Sequence, residues 1–178
     1  DLGLMAAQAE ALNPGFMRRM RGGLPWLRLK SASSIDGRTA MASGESQWIT
    51  GPEARADVQK LRAQSCAILS GVETILYDDA ALTVRPDSFS VEDVSAQALK
   101  GKWRQPLRVI VDSSLRTPPT AKLLAGGGEV LIATRVTDIA KQKALIAAGA
   151  KIVVIEDDGG GKVSLPALMH YLADRGCN

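Results

Sequence analysis

The chain has 178 residues, of which 46% are hydrophobic and 23% charged, and its 22 basic and 19 acidic side chains leave a formal charge of +3. That length fits one compact domain, burying roughly two-thirds of its unfolded surface, and the composition excludes whole-chain disorder. The small positive excess is too slight to mark a nucleic-acid or membrane surface and suits an anionic small molecule.

Cys66 and Cys177 are too few and too far apart in sequence for a disulfide framework or a zinc ligand set, which favours a reducing compartment. No apolar run approaches the roughly 18 residues of a membrane span, and no signal-peptide pattern opens the chain. A cytoplasmic location is expected. Because the first residue is Asp, a piece of a longer product is expected too.

In chain order, Leu4 to Leu12 reads as a helix, punctuated by Asn13-Pro14-Gly15, and Phe16 to Arg21 as a second short helix stopped by Gly22-Gly23. Trp26 to Ser33 alternates with period two and is predicted to be the first strand, ending at the Asp36-Gly37 turn. Thr50-Gly51-Pro52-Glu53 has capping-box spacing with Pro in the first turn, so a helix is predicted over Ala54 to Ala63 with Val58 and Leu61 on one face. Cys66 to Ser70 reads as a short buried strand and Val72 to Leu76 as a helical turn. Arg85 to Gln105 is polar and turn-rich, a surface insertion.

Leu107 to Val111, Val130 to Thr134 and Ile152 to Ile155 are predicted strands. Asp138 to Ala148 and Leu165 to Arg175 are predicted helices, the latter capped by Ser164. Strands and helices in alternation with short connections indicate an α/β fold around a mainly parallel sheet.

The usual nucleotide and hydrolase signatures are missing. No G-x-G-x-x-G follows a strand, and Gly126-Gly127-Gly128 and Gly159-Gly160-Gly161 lack the Lys-Ser/Thr of a phosphate loop, so both read as connections. His170 is the only histidine and lies among Leu168, Met169 and Leu172 on a helix, where a structural or solvent-edge role is expected. A serine triad and a histidine-based metal site are thereby excluded within this chain. Phe16 to Arg21 (FMRRMR) reads as a solvated helix face, not a nucleic-acid patch.

The stretch Ser34 to Thr50 (SIDGRTAMASGESQWIT) is different in kind. Small residues let a ligand approach the backbone, Ser43, Ser46 and Thr50 offer hydroxyls, and Trp48 adds a flat apolar face. On its own this is either a polar loop ending in a helix cap or a ligand site. Arg62 on the predicted helix and Arg85 after Asp79-Ala80-Ala81-Leu82-Thr83-Val84 tilt it toward a site, because a guanidinium holds phosphate in a fork.

Four separated segments resemble the reductase domain of the bifunctional riboflavin-biosynthesis deaminase/reductase. They are Lys30 to Ala40 (KSASSIDGRTA), Gly44 to Thr50 (GESQWIT), Leu61-Arg62-Ala63, and Asp78 to Arg85 (DDAALTVR), followed by Val109 to Ser113 (VIVDS) at the next family strand. The resemblance implies a dihydrofolate-reductase-like α/β fold and NADPH-dependent reduction of 5-amino-6-(5-phosphoribosylamino)uracil to its ribitylamino product. It implies cofactor contacts at Ala32, Trp48, Thr74, Asp78 and Ser113, and substrate contacts at Ser46, Arg62, Leu82 and Arg85, with the arginines at the phosphate. Lys30 is a catalytic candidate near the ribose.

The resemblance also implies that residues 1–23 are the end of a deaminase domain and its linker, and that residues 24–178 are the reductase domain. The family's His-x-Glu and Pro-Cys-x-x-Cys deaminase patterns do not occur in this sequence, so zinc is expected only in the absent deaminase domain, and no metal in this one. The family continues past Asn178 with a further strand, a Glu-Ala-Gly segment and a glycine-containing stretch, so the fold is expected to be incomplete at its C-terminus. A homo-oligomer acting on a phosphorylated pyrimidine, without nucleic acid or membrane as partner, is the expectation. Another pteridine reductase of the same fold and a noncatalytic nucleotide-binding or oligomerisation module are the alternatives.

Overall fold

The computed structural model describes residues 3–88 and 104–178. Its frame is a four-stranded parallel sheet in the order β1-β2-β3-β4, made of β1 Ala67–Gly71, β2 Leu107–Val111, β3 Val130–Thr134 and β4 Ala150–Val154. Each strand pairs with the one that follows it in sequence. Successive crossovers of one hand, all moving the same way across the sheet, carry their helices over the same face.

That face holds α4 (Val72–Asp78), α5 (Lys122–Ala125) and α6 (Ile139–Ala147). Val72, Ile75, Leu123 and Leu145 from these helices pack with Ile110, Val130 and Ile132 of the sheet. The opposite face is covered by α7 (Leu165–Asp174), whose Leu168 and Leu172 join Val109, Leu131 and Ala133. Alternate residues of β2 and β3 thus serve two cores, as the two-residue side-chain period requires. All five residues of β3 are buried, which explains why it reads as a continuous apolar run.

Ahead of the sheet lie α1 (Ala6–Leu12), α2 (Pro14–Gly22) and α3 (Pro52–Gln64). An Arg21–Glu10 ion pair joins the first two on an exposed surface, in keeping with the solvated reading of FMRRMR. Residues 89–103 of the expected surface insertion lie outside the described residues; before them Pro86–Ser88 form a single 3-10 turn.

Three local expectations are corrected. Trp26 to Ser33 is not a strand: Trp26, Leu27 and Leu29 are exposed, and no strand among the described residues pairs with it. Alternation describes a side-chain pattern, but a strand also needs a neighbour for its N–H and C=O groups. The Thr50–Glu53 capping box does not form, because Gly51 occupies the N-cap with no side-chain bond. Thr50 instead offers its carbonyl to the Arg55 guanidinium at 2.6 Å. The short α5 was unforeseen; its four residues are too few for a periodic signal, although Leu123 is fully buried.

Elsewhere the boundaries move by a residue or two. Gly149, at φ 99°, releases the chain from α6 so that Ala150 starts β4 two residues earlier than expected. Ser164 does cap α7, its Oγ accepting from the Ala167 N–H at 3.3 Å, and Asp138 caps α6 in the same way.

The deepest charge is Arg108, wholly buried on β2 on the Ile110 face. Its Nη atoms donate to five carbonyl oxygens, those of Ala81, Leu123, Gly126, Gly127 and Gly128. Burial pulls its pKa below the ordinary arginine value, yet an arginine so bonded stays charged. The Gly126-Gly127-Gly128 triplet is therefore a carbonyl cradle as well as a connection. At Gly128, with φ 90°, a Cβ would come within 2.6 Å of the Gln105 side chain, so no other residue fits.

Two stability outcomes follow. Arg108→Met should lower the free energy of unfolding by on the order of 3 kcal/mol, because it orphans several carbonyls that lost water on folding; urea titration measures this. Ser164→Ala should cost about 1 kcal/mol as a lost cap, whereas Thr50→Ala should change stability by no more than about 0.5 kcal/mol, a contrast that reverses if the capping box exists in solution.

Candidate functional site

The inward side of α3 is polar. Arg55, Val58, Gln59 and Arg62 stand at i, i+3, i+4 and i+7, with Gln59 buried and the other three half-buried, as are Ala56, Leu61 and Ala63 beside them. Gln59 is buried and accepts the Arg85 backbone N–H on Oε1 at 3.0 Å. Arg62 donates from Nη1 to the Thr83 carbonyl at 3.1 Å. Opposite them the Gln105 amide bonds both the N–H and the C=O of Val84, at 2.8 and 3.2 Å. The Thr83–Arg85 backbone is thus gripped from both sides by side-chain amides and a guanidinium.

This places Arg62, Leu82 and Arg85 in one neighbourhood, as the sequence predicted. Arg62 is half-buried, not on the exposed side of its helix as its position suggested. Desolvation, and after it the nearby Arg85 charge, lowers its pKa. Among the described residues neither arginine forms an ion pair. Leu82 is buried with φ 53°, a left-handed conformation that a branched side chain adopts only when its surroundings enforce it.

Thr74 and Asp78 lie on α4, and Ser113 lies just past β2, so Thr74 and Ser113 both sit beyond the carboxyl ends of neighbouring parallel strands. Open parallel sheets bind ligands outside those ends. Thr74 is half-buried and Asp78 exposed. Ser113 Oγ accepts the Val163 N–H at 3.0 Å, which leaves its own hydroxyl proton free to donate. Behind it the buried Asp112 fixes the turn, Oδ1 taking the Arg116 N–H at 2.9 Å and Oδ2 the Thr117 N–H and hydroxyl at 2.7 Å each. An Arg116–Glu73 ion pair ties that turn to α4.

Lys30, Ala32 and Ser46 are not brought to this edge by any bond. Hydrogen bonds among residues 24–49 are local, such as the Ser34 N–H to the Arg38 carbonyl and the Met41 N–H to the Glu45 carbonyl. An open hollow of about 490 Å³ lies within this segment, lined by residues that include Ser34, Arg38, Met41 and Ile49, and it contains none of the predicted contacts. Trp48 is the exception to the isolation. It is 69% exposed, and the Arg55 guanidinium stacks 4.5 Å from its ring centroid, leaving the other indole face uncovered.

Sequence reasoning missed Gln59, Gln105 and Arg55. The signal for two of them was present: Arg55, Gln59 and Arg62 share one face of the helix at i, i+4 and i+7, a row of polar side chains on a partly buried face. His170 is exposed, as expected for the solvent edge. Among the described residues no group of three His, Cys, Asp or Glu side chains is placed to hold a metal ion, and no helix is long and apolar enough to cross a membrane.

Comparison with known proteins agrees with this geometry. Residues 25–178 match the RibD C-terminal domain family. The riboflavin biosynthesis protein RibD of Escherichia coli K12 is 53% identical over 133 residues, covering 74% of this chain and 35% of that protein. RibD of Bacillus amyloliquefaciens is 37% identical over 177 residues, 98% of this chain and 43% of that protein. The chain therefore spans less than half the length of these relatives. Acinetobacter baumannii RibD, form 2, superimposes with a TM-score of 0.78 at 36% identity, over 99% of this chain and 44% of that one. The Thermotoga maritima deaminase/reductase shares the fold, with a TM-score of 0.77 at 23% identity over 98% of this chain and 43% of that one. A parallel sheet flanked by helices, two arginines gathered beside a left-handed leucine and hydroxyls beyond the strand ends are thus found in a dihydrofolate-reductase-like α/β domain, and the chain belongs to the RibD C-terminal domain family.

Proposed function

We propose that this domain reduces 5-amino-6-(5-phosphoribosylamino)uracil to 5-amino-6-(5-phosphoribitylamino)uracil with NADPH, a step of riboflavin biosynthesis. The observation that carries the reading is the pair Arg62 and Arg85. Two guanidiniums from separate elements are held close enough for one to depress the other's pKa, with no carboxylate beside them among the described residues. Like charges so placed repel, and an anion bound between them relieves the repulsion. A phosphorylated substrate supplies that anion, whereas a simple pteridine does not.

The residues beyond the strand ends suit a dinucleotide in the same reading. Ser113 has a hydroxyl proton to donate, Thr74 a second hydroxyl beside it, and Asp78 a carboxylate able to accept from a ribose hydroxyl. Trp48 offers one free indole face, its other face being held by Arg55. The nicotinamide supplies the hydride when bound, and the acceptor is the C1 carbon of the ring-opened ribose. The chain's own contribution is to bind and align. Arg62 and Arg85 anchor the phosphate, Leu82 presents an apolar contact from a fixed backbone, Ser46 contacts the substrate, Ala32 the cofactor, and Lys30 is the catalytic candidate near the ribose. Residues 1–23, which precede the family match, are read as the end of a deaminase domain and its linker, and residues 24–178 as the reductase domain.

Substitution separates these roles. Arg85→Lys keeps the charge but loses the fork, so affinity for the phosphorylated substrate should fall by about 1 to 3 kcal/mol, while the dephosphorylated analogue and NADPH bind as before. Equal losses for both substrates in a calorimetric titration would return the arginines to a structural role. Trp48→Ala should weaken NADPH by about 1 to 3 kcal/mol, the value of covering a large apolar side chain; unchanged NADPH affinity in a folded variant removes Trp48 from the cofactor site.

A further inference from the structure

Cys66 and Cys177, far apart in sequence, are brought together by the fold. Cys66 immediately precedes β1, and its carbonyl accepts the Leu107 N–H at 2.9 Å at the start of β2. Cys177 follows α7 and packs in the core on that side of the sheet, where Cys66 is a partly buried neighbour. The residue after Cys177 bonds the Cys66 sulfur, and both cysteines belong to the same core cluster, which sets the Cys177 thiol where it can donate to Cys66 Sγ. The Asn178 N–H donates to Cys66 Sγ at 3.1 Å, while the Asn178 carbonyl lies 3.5 Å from the same sulfur.

The two sulfurs differ in character. Cys66 is half-buried and reachable from solvent, whereas Cys177 is only 7% exposed. The bond from Cys177, with help from the Asn178 N–H, lowers the Cys66 pKa to about 5, and the same bond together with burial raises that of Cys177. Charged side chains nearby include three arginines, of which Arg175 is paired with Glu129. Arg175 and Arg19 act on Cys177 through their charge, Arg19 also reaches Asn178 Oδ1 at 3.4 Å, and Arg104 bonds the adjoining Ser65 carbonyl at 3.1 Å. A reachable sulfur backed by a second one, in cationic surroundings, is the arrangement of a reactive thiol with a resolving partner.

We propose that Cys66 and Cys177 form a reversible dithiol–disulfide site that exchanges with small anionic disulfides of the glutathione type. The Cys66 thiolate attacks one sulfur of the small disulfide; a Cys66–S–S–R bond forms, the original S–S bond breaks, and RS⁻ leaves and takes up a proton. Cys177 then gives its proton to solvent and attacks the Cys66 sulfur, forming the protein disulfide and expelling the second RS⁻, which is protonated in turn. Two protein thiols are oxidised and one small disulfide is reduced to two thiols. The new bond joins the start of β1 to the end of α7, at the opposite end of the strands from Thr74 and Ser113. The site is therefore independent of the proposed reductase chemistry.

Intact-mass analysis of the 178-residue chain after incubation with oxidised glutathione reads the outcome. The wild-type chain should lose two hydrogens, carry no lasting glutathione, show no alkylatable thiol after unfolding, and regain both thiols with dithiothreitol. Cys177→Ser should stop at a stable glutathione adduct on Cys66. A wild-type chain that keeps both thiols, stores the adduct unresolved, or cross-links between copies overturns the proposal. The pH dependence of Cys66 alkylation by iodoacetamide is a second reading. The wild-type rate should fall by half near pH 5 and shift upward in Cys177→Ser; a wild-type midpoint near the ordinary thiol value of about 8.5 shows that the sulfurs do not support each other.

Discussion

A buried guanidinium that forms no ion pair among the described residues holds this fold together. Arg108 is wholly buried, and its two Nη groups donate to carbonyls of the loop after α4, of α5 and of the three glycines before β3. Each of those backbone groups lies at a chain reversal, where the sheet ladder cannot reach it. One side chain on β2 therefore substitutes for a length of secondary structure. The Ala81 carbonyl it holds immediately precedes Leu82, so the left-handed leucine and the Thr83–Arg85 segment inherit their position from the interior of the sheet.

From the other side the same segment is fixed by α3. Gln59 and Arg62 bond its backbone, and one turn earlier Arg55 stacks on Trp48 and bonds Thr50. A single helix face thus touches both a proposed cofactor contact and the proposed substrate contacts. Any shift of α3 along its axis would move the two sets together, which suits the proposed role of holding cofactor and substrate at fixed separation.

Legibility in the sequence tracked how local each determinant was. Val130 to Thr134 and Leu107 to Val111 announced themselves because strands covered on both faces are mostly apolar, Arg108 being the charged exception, and Ser164 announced α7 because a cap acts within three residues. Trp26 to Ser33 has the alternation of a strand, but pairing is a property of the whole sheet and no described strand takes it up. Thr50 and Glu53 had the spacing of a capping box, yet the Arg55 guanidinium takes the Thr50 carbonyl. Cys66 and Cys177 are distant in sequence and share one core cluster in space, a proximity that only the return of α7 along the sheet creates. For the site, Arg62, Leu82 and Arg85 were found through their resemblance to known motifs, while Gln59 and Gln105 belong to no motif and act by filling backbone valences.

The strand order has a kinetic consequence. Because β2 pairs with β3 and β3 with β4 across short helical connections, this half of the sheet can close by successive small loops, each at modest entropic cost. β1 must instead meet β2 across the whole of residues 72–106, and one of its sides has no strand among the described residues. Amide protection against deuterium should therefore be graded across the sheet. It is greatest in β3, whose backbone is paired on both sides and whose residues are all buried, and least in β1, the strand from which the sheet opens.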